Sequence, residues 1–323
     1  MFAQETGKAR GSQGEQLWMS ENPPVGATFT FWLKDALKTK KAERVAAKKE
    51  ATEYPSQTQL TAEVDEEAPQ VLLTVTDAAG KVVKRLTGPT ARGIHRVTWN
   101  LRGPAASAGG GGRRVVEDDD DESPAAGGGG GFVQPGVYKV SLAKRVGGVT
   151  TALGAEQSFT VEADGAAQVK PEERKALGEF VTKVYRLQRQ VTGSLEAANT
   201  AKTKLGAVKR ALLDSPAEAK LMDEASALDR RLTAILRKLR GDETLRGLES
   251  GSPSSIQSRI GSAAFGTRNM TGAPTGTQQL NYQIASEEFA AEQPKLKSLL
   301  DDLKKFEQVL DAAGVPYTQG RFQ

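Results

Sequence analysis

Between Gln70 and Arg102 the chain reads QVLLTVTDAAGKVVKRLTGPTARGIHRVTWNLR, and no other stretch limits its fold as strongly. Val71, Leu73 and Val75 alternate with smaller or polar neighbours, the period-2 pattern of a strand with one buried face. Asp77-Ala78-Ala79-Gly80 supplies turn chemistry. Gly80 can take the positive φ that a three-residue hairpin with a bulge demands. Val82, Val83 and Leu86 resume the pattern, Gly88-Pro89 breaks it, and Val97, Trp99 and Leu101 share one face of a further strand. Three consecutive antiparallel strands are predicted.

The same signature recurs on both sides. Asn22-Pro23-Pro24-Val25-Gly26 is a rigid, extended entry, because proline fixes its own φ and pushes the residue before it toward extended backbone. Residues 26–34 follow as a strand. Ala27, Phe29, Phe31 and Leu33 face one way and Trp32 the other. Downstream, Pro135-Gly136 leads into Tyr138, Val140 and Leu142, Gly147-Gly148 forms a two-residue hairpin between Val146 and Val149, and Phe159 and Val161 finish the last strand. Seven or so strands with regular turn signals predict a β-sandwich. Two insertions interrupt it. Residues 35–50, DALKTKKAERVAAKKE, are helix formers with a mostly solvated, basic surface of Lys38, Lys40, Lys41, Arg44, Lys48 and Lys49. Tyr54-Pro55 ends that helix, and the polar, acidic residues 56–68 read as a loop. Residues 103–131 set two polyglycine tracts around an acidic run, too little apolar surface to offset chain ordering, so they read as a long loop within the same domain.

From Lys170 onward the period changes to 3.6. Pro171-Glu172-Glu173 is a suitable first helical turn. Leu177, Val181, Val184, Leu187, Val191, Leu195 and Ala198, then Leu205, Val208 and Leu212, predict one helix roughly 60 Å long at ~1.5 Å per residue. Ser215-Pro216-Ala217-Glu218 reads as a capping box opening a second helix through Leu221, Ala225, Leu228, Leu232, Ile235 and Leu239, ended by Gly241. A short helix is expected over 253–261. A third long one is expected over 276–313, kinked at Pro294 and ended by Gly314. The expected fold class is therefore α+β and multidomain. An irregular arm (1–21) precedes an antiparallel sandwich (22–163), and an antiparallel three-helix bundle (164–323) follows.

Composition narrows the chemistry. The 323 residues contain no cysteine and one histidine, which removes disulfides and ordinary His/Cys zinc sites and disfavours a Ser-His-Asp triad. The net charge of +4 is mild and diffuse, so no nucleic acid is expected. No run approaches the ~18 apolar residues of a membrane span, and MFAQETGKARGSQGEQ lacks the apolar core of a signal peptide. No phosphate-cradling glycine motif occurs, so no cofactor is expected. His95, in phase with Val97 and Trp99, reads as an edge-of-core histidine rather than a base. Asp118 to Glu122 reads as a solvated acidic run rather than a calcium site. Glu287-Glu288, the nearest thing to a carboxylate pair, diverge as neighbours on a helix. Asn269-Met270-Thr271 matches a glycosylation sequon.

Several segments together resemble a family. Glu21 to Ala27 (ENPPVGA) followed by an aromatic strand resembles the junction after the propeller in bacterial exported proteins with sortilin-like BNR-repeat β-propellers, often labelled glycosyl hydrolases. Asp77 to Arg85 (DAAGKVVKR), Gly93 to Leu101 (GIHRVTWNL) and Pro135 to Val140 (PGVYKV) are similar to the sandwich that follows there, which resembles the Ig-like domain of the flagellar hook-capping protein. Pro274-Thr275, Tyr282 to Phe289 (YQIASEEF) and Ala313 to Thr318 (AGVPYT) match the helical region after it. The resemblance spans nearly all of the chain after Gly14. It lacks the propeller, so residues 1–20 are expected to be a remnant of its exit, and the missing signal peptide leaves two alternatives: the protein is not exported, or Met1 is not the natural start.

The resemblance implies a periplasmic or extracellular, non-catalytic docking module whose partner is another protein or its own propeller. The contact elements expected are Trp18, Asn22, Pro23, Pro24 and Trp32, with the helix stripes as a route to oligomers. The alternatives are a hydrolase acting on glycans or peptides between sandwich and bundle, and a binder of anionic surfaces through residues 38–49.

Overall fold

The computed structural model describes residues 24–47, 54–104, 130–163, 169–216, 218–242, 244–245, 253–267, 270 and 272–318. These residues divide into two compact units, 24–163 and 169–318. The protein is mixed: antiparallel sheets in the first unit, helices throughout the second.

The sheets are built from β1 (Ala27–Leu33), β2 (Gln70–Asp77), β3 (Val82–Gly88), β4 (Gly93–Trp99), β5 (Gly136–Val146), β6 (Val149–Ala152) and β7 (Gln157–Val161). β3, β2 and β5 lie side by side, and β6 and β7 pair end to end along the other edge of β5. β1 and β4 form a separate two-stranded sheet. The β2–β3 hairpin is made as its sequence dictates. Asp77 Oδ1 accepts the Ala79 and Lys81 N–H groups at 3.0 and 2.9 Å, Gly80 sits at φ +78°, and the register shifts between Val75 and Thr76. Gly147 and Gly148 both take positive φ in the turn closed by Val146 and Val149.

The expectation of three successive paired strands is corrected at β4. It pairs with β1, in register Phe31↔His95 and Ala27↔Trp99, and not with β3. Gly88-Pro89 carries the chain out of the larger sheet, so that Val97 and Trp99 face the β2 side chains across a core instead of lying beside them. Phe31 and Leu33 share one buried cluster with Val71 and Leu73. Val75, Trp99 and Tyr138 form another, bordered by Phe29, Leu86, Val140 and Phe159. Trp99 meets Tyr138 and Phe159 edge-to-face at 5.7 and 6.2 Å between ring centroids. Its indole N–H donates to the Arg102 carbonyl at 3.0 Å, so no polar group is stranded.

Between β1 and β2 the chain forms α1 (Lys40–Ala47) and α2 (Gln57–Val64). The first is shorter than the expected helix over 35–50, and Lys48 and Lys49 lie outside the described residues. The second replaces the expected loop. Ser56 and Gln59 make a reciprocal capping box, whose S-x-x-Q signal is present in the sequence. Arg44 grips Glu63 with two nitrogens, one at 2.8 Å, and so ties α1 to α2. The glycine-rich stretch lies outside the described residues from 105 to 129, Asp118 to Glu122 included. Its two ends are held together: Val133 N–H donates to the Leu101 carbonyl at 2.9 Å, Gly103 N–H to Gly131 at 3.1 Å, and the Arg102 guanidinium lies 4.0 Å over the Phe132 ring.

The second unit contains α3 (Pro171–Leu213), α4 (Ala219–Arg240), α5 (Ile256–Thr267) and α6 (Gly276–Ala312). α3 is one 43-residue helix with Pro171 in its first turn. α4 starts later than its expected cap. Glu218 occupies the N-cap without a side-chain bond, while Ser215 donates its hydroxyl back to the Leu212 carbonyl of α3. α5 extends past the expected end at 261, and α6 begins at a Thr275–Gln278 capping box and runs through Pro294. The predicted stripes are buried together in one core that draws on all four helices.

Polar contacts fix the helix directions. Arg240 donates to Asn199 at 3.4 Å, Lys202 reaches Thr233 at 2.9 Å, and Lys209 reaches Asp229 at 2.7 Å, so α3 and α4 are antiparallel. Asp229 lies between Lys202 (2.6 Å) and Lys209. Partial burial opposes its charge, but the hydrogen bonds from the two lysines outweigh it and hold the carboxyl below its ordinary value. Because the folded value lies below the unfolded one of about 3.9, the contribution is complete above that pH and is lost as pH falls through the folded value. Asp229→Asn is therefore expected to lower the urea midpoint at neutral pH, and its deficit against the parent should shrink in acid. A deficit independent of pH would place its origin elsewhere.

Candidate interaction surface

Strand alternation and pairing together build the most distinctive surface of the first unit. On β1, Phe29, Phe31 and Leu33 turn inward, so Thr28, Thr30 and Trp32 turn outward. On β4, Val97 and Trp99 turn inward, so Ile94, Arg96 and Thr98 turn outward. The register sets these in three cross-strand pairs: Trp32↔Ile94, Thr30↔Arg96 and Thr28↔Thr98. Trp32 is 62 % and Ile94 73 % exposed, an aromatic and an aliphatic side chain opposite each other with no apolar cover among the described residues. The two threonine hydroxyls bond to each other at 3.0 Å.

The expectation that Trp32 lies opposite the phenylalanines holds, and the structure adds Ile94 and Arg96 beside it. Ile94 was readable as the opposite phase to His95 and Val97, but its partnership with Trp32 joins residues 62 positions apart in the chain and has no local signal. Pro24 is exposed just before β1, whereas Trp18, Asn22 and Pro23 lie outside the described residues. The helix stripes form the buried core of the second unit.

The sites weighed for chemistry are elsewhere. His95 is half-buried; its Nε2 donates to the Ala91 carbonyl at 2.7 Å, and its ring rests 5.5 Å from Phe31. No group of three or more histidine, aspartate or glutamate side chains able to hold a metal occurs among the described residues. Glu287 accepts from Gln283 at 3.0 Å on the outside of α6. Two open grooves flank Pro294. One, of about 630 Å³ between α4 and α6, contains a single acid, Glu292, already bonded to Lys295 at 2.8 Å. The other, of about 640 Å³ between α3 and α6, is lined by no carboxylate. Neither offers the pair of carboxylates that glycoside hydrolysis needs. No helix among the described residues is long and apolar enough to cross a membrane.

The fold and this surface together define a class: a β-plus-α protein displaying an uncovered aromatic–aliphatic pair on a two-stranded sheet. Comparison with known proteins goes no further, since no family model, no curated protein and no solved structure matches the chain.

Proposed function

We propose that the chain is a non-catalytic interaction module, an Ig-like sandwich followed by a three-helix bundle, that works by docking. The observation that carries this reading is the exposed Trp32–Ile94 pair. Tryptophan and arginine dominate the energetics of protein interfaces, and here both stand on a rigid sheet already held by its inner face.

Support for the Ig-like description comes from two sheets sharing their cores and from Tyr138. The tyrosine hydroxyl at the start of β5 donates to the Gln134 carbonyl at 2.6 Å, in the manner of the tyrosine corner of such sandwiches. The antiparallel run of α3 and α4 suits an up-down-up bundle. In the resemblance to exported sortilin-like proteins, the partner is a protein surface such as the propeller and the compartment is periplasmic or extracellular. The alternative, a hydrolase of glycans or peptides, has no comparable constellation behind it among the described residues.

The test is the double variant Trp32→Ser/Ile94→Ser. Both side chains are outside the core, so the melting temperature is expected to move by less than about 2 °C. Association with a separately produced sortilin-like β-propeller, measured by calorimetry, is expected with the parent and lost with the variant. Unchanged association sinks the reading.

A further inference from the structure

Near the Trp32–Ile94 pair positive charge outnumbers negative. Arg96 stands on the same face one pair away. Beyond the other end, Lys34 and Arg92 directly follow and precede the Leu33↔Gly93 pair that ends the sheet, and the two segments meet again at the 2.8 Å bond from Leu37 N–H to the Thr90 carbonyl. Lys38, Lys40 and Lys41 follow directly. All six cations are exposed, and none makes an ion pair among the described residues, in contrast to Arg44 and Arg145, which grip Glu63 and Glu67. The acids of this neighbourhood are fewer: Asp35, Glu43, and Glu66, which accepts the Lys40 backbone N–H at 2.6 Å. Like charges held near one another repel, so unpaired cations beside the pair do not stabilise the isolated fold.

We infer that the occupant of the outer β1–β4 face is a protein surface that is acidic around an apolar recess, with Trp32 and Ile94 entering the recess and Arg96, Lys34 and Arg92 meeting the rim. This rests on the docking reading above and names the chemistry of its partner. Charge complementarity fixes the sign of the occupant. The threonines fix its class. Thr28, Thr30 and Thr98 share the face with the indole; Thr28 and Thr98 bond to each other, but the Thr30 hydroxyl carried into hydrocarbon beside the indole loses its hydrogen bonds to water at a cost. A protein surface can satisfy them, and a lipid interior cannot.

The experiment uses the whole chain and labelled synthetic peptides of about eight residues, enough to span the face at ~3.4 Å per residue. One peptide carries Glu and Asp around a central Leu-Phe pair, a second the acids without the pair, a third the pair among serines. Fluorescence anisotropy is expected to show binding of the first alone, weakening several-fold as salt rises from about 50 to 200 mM. Trp32→Ala is expected to weaken it about tenfold or more, and so is the triple variant Lys34→Glu/Arg92→Glu/Arg96→Glu, with circular dichroism confirming that each variant folds. No binding of the first peptide overturns the inference, as does equal binding of the serine peptide. Tighter binding to phosphatidylglycerol vesicles, heparin or oligothymidylate than to the acidic peptide also overturns it. If charge reversal has no effect while Trp32→Ala abolishes binding, the acidic partner fails and docking stands. If Trp32→Ala has no effect, the docking reading itself falls.

Discussion

Replacing Trp99 by alanine is expected to destabilise the first unit by about 3–5 kcal/mol, the range for deleting a large buried aromatic side chain. The indole is fully buried and joins the two sheets: it leaves β4, which pairs with β1, and packs against Val75 of β2, Tyr138 of β5 and Phe159 of β7. Its removal also takes away the indole hydrogen bond to the Arg102 carbonyl, near the point where Gly103 and Gly131 are tied. A loss of this size is comparable to the whole stability of many domains. Denaturant unfolding followed by the near-ultraviolet signal is expected to show the β unit losing its transition while the far-ultraviolet helix signal persists. Trp99→Phe, which keeps most of the volume, should recover more than half of the loss. A variant as stable as the parent would show that the sheets do not depend on this contact.

Gly26→Ala is the second large effect. Gly26 stands at φ +141°, a conformation L side chains rarely adopt, and a β-carbon there would lie 2.0 Å from the Trp99 carbonyl oxygen. That oxygen belongs to the backbone of the opposing strand, at the Ala27↔Trp99 pair that closes the small sheet, and cannot move alone. Strained backbone costs about 1–3 kcal/mol, and forcing the strands apart adds to it. Gly80→Ala isolates the two contributions. Gly80 has a positive φ of +78° but open space around it, so only the backbone term remains, about 1 kcal/mol. Equal losses at the two positions, measured by the same unfolding transition, would show that the contact with Trp99 is not what makes Gly26 necessary.

These two residues show where sequence reasoning succeeded and where it stopped. The alternation of Phe29, Phe31 and Leu33, and of Val97 and Trp99, was legible because a strand with one buried face writes a period of two into the chain. The long stripe from Leu177 to Leu212 was legible for the same reason at 3.6. Helix ends were less so. Ser56-x-x-Gln59 carried a capping box inside a stretch whose polarity suggested a loop, and Ser215 offered a similar pattern but spends its hydroxyl on α3. Of the candidate surface, Trp32 was identifiable alone. Ile94 and Arg96 became its neighbours only through the pairing of β1 with β4.

Local periodicity thus determined the strands and the long helices of this protein, α2 excepted, and which side of each is apolar, because those preferences are settled within a few residues of backbone geometry. Composition determined that neither thiol chemistry nor a histidine cluster is available among these 323 residues. The tertiary structure alone decided that β4 leaves β3 for β1, that Gly26 must lack a side chain, and that a tryptophan and an isoleucine from distant parts of the chain stand together in solvent. Those facts depend on which strands meet, and strand pairing is a long-range choice that identical local patterns leave open.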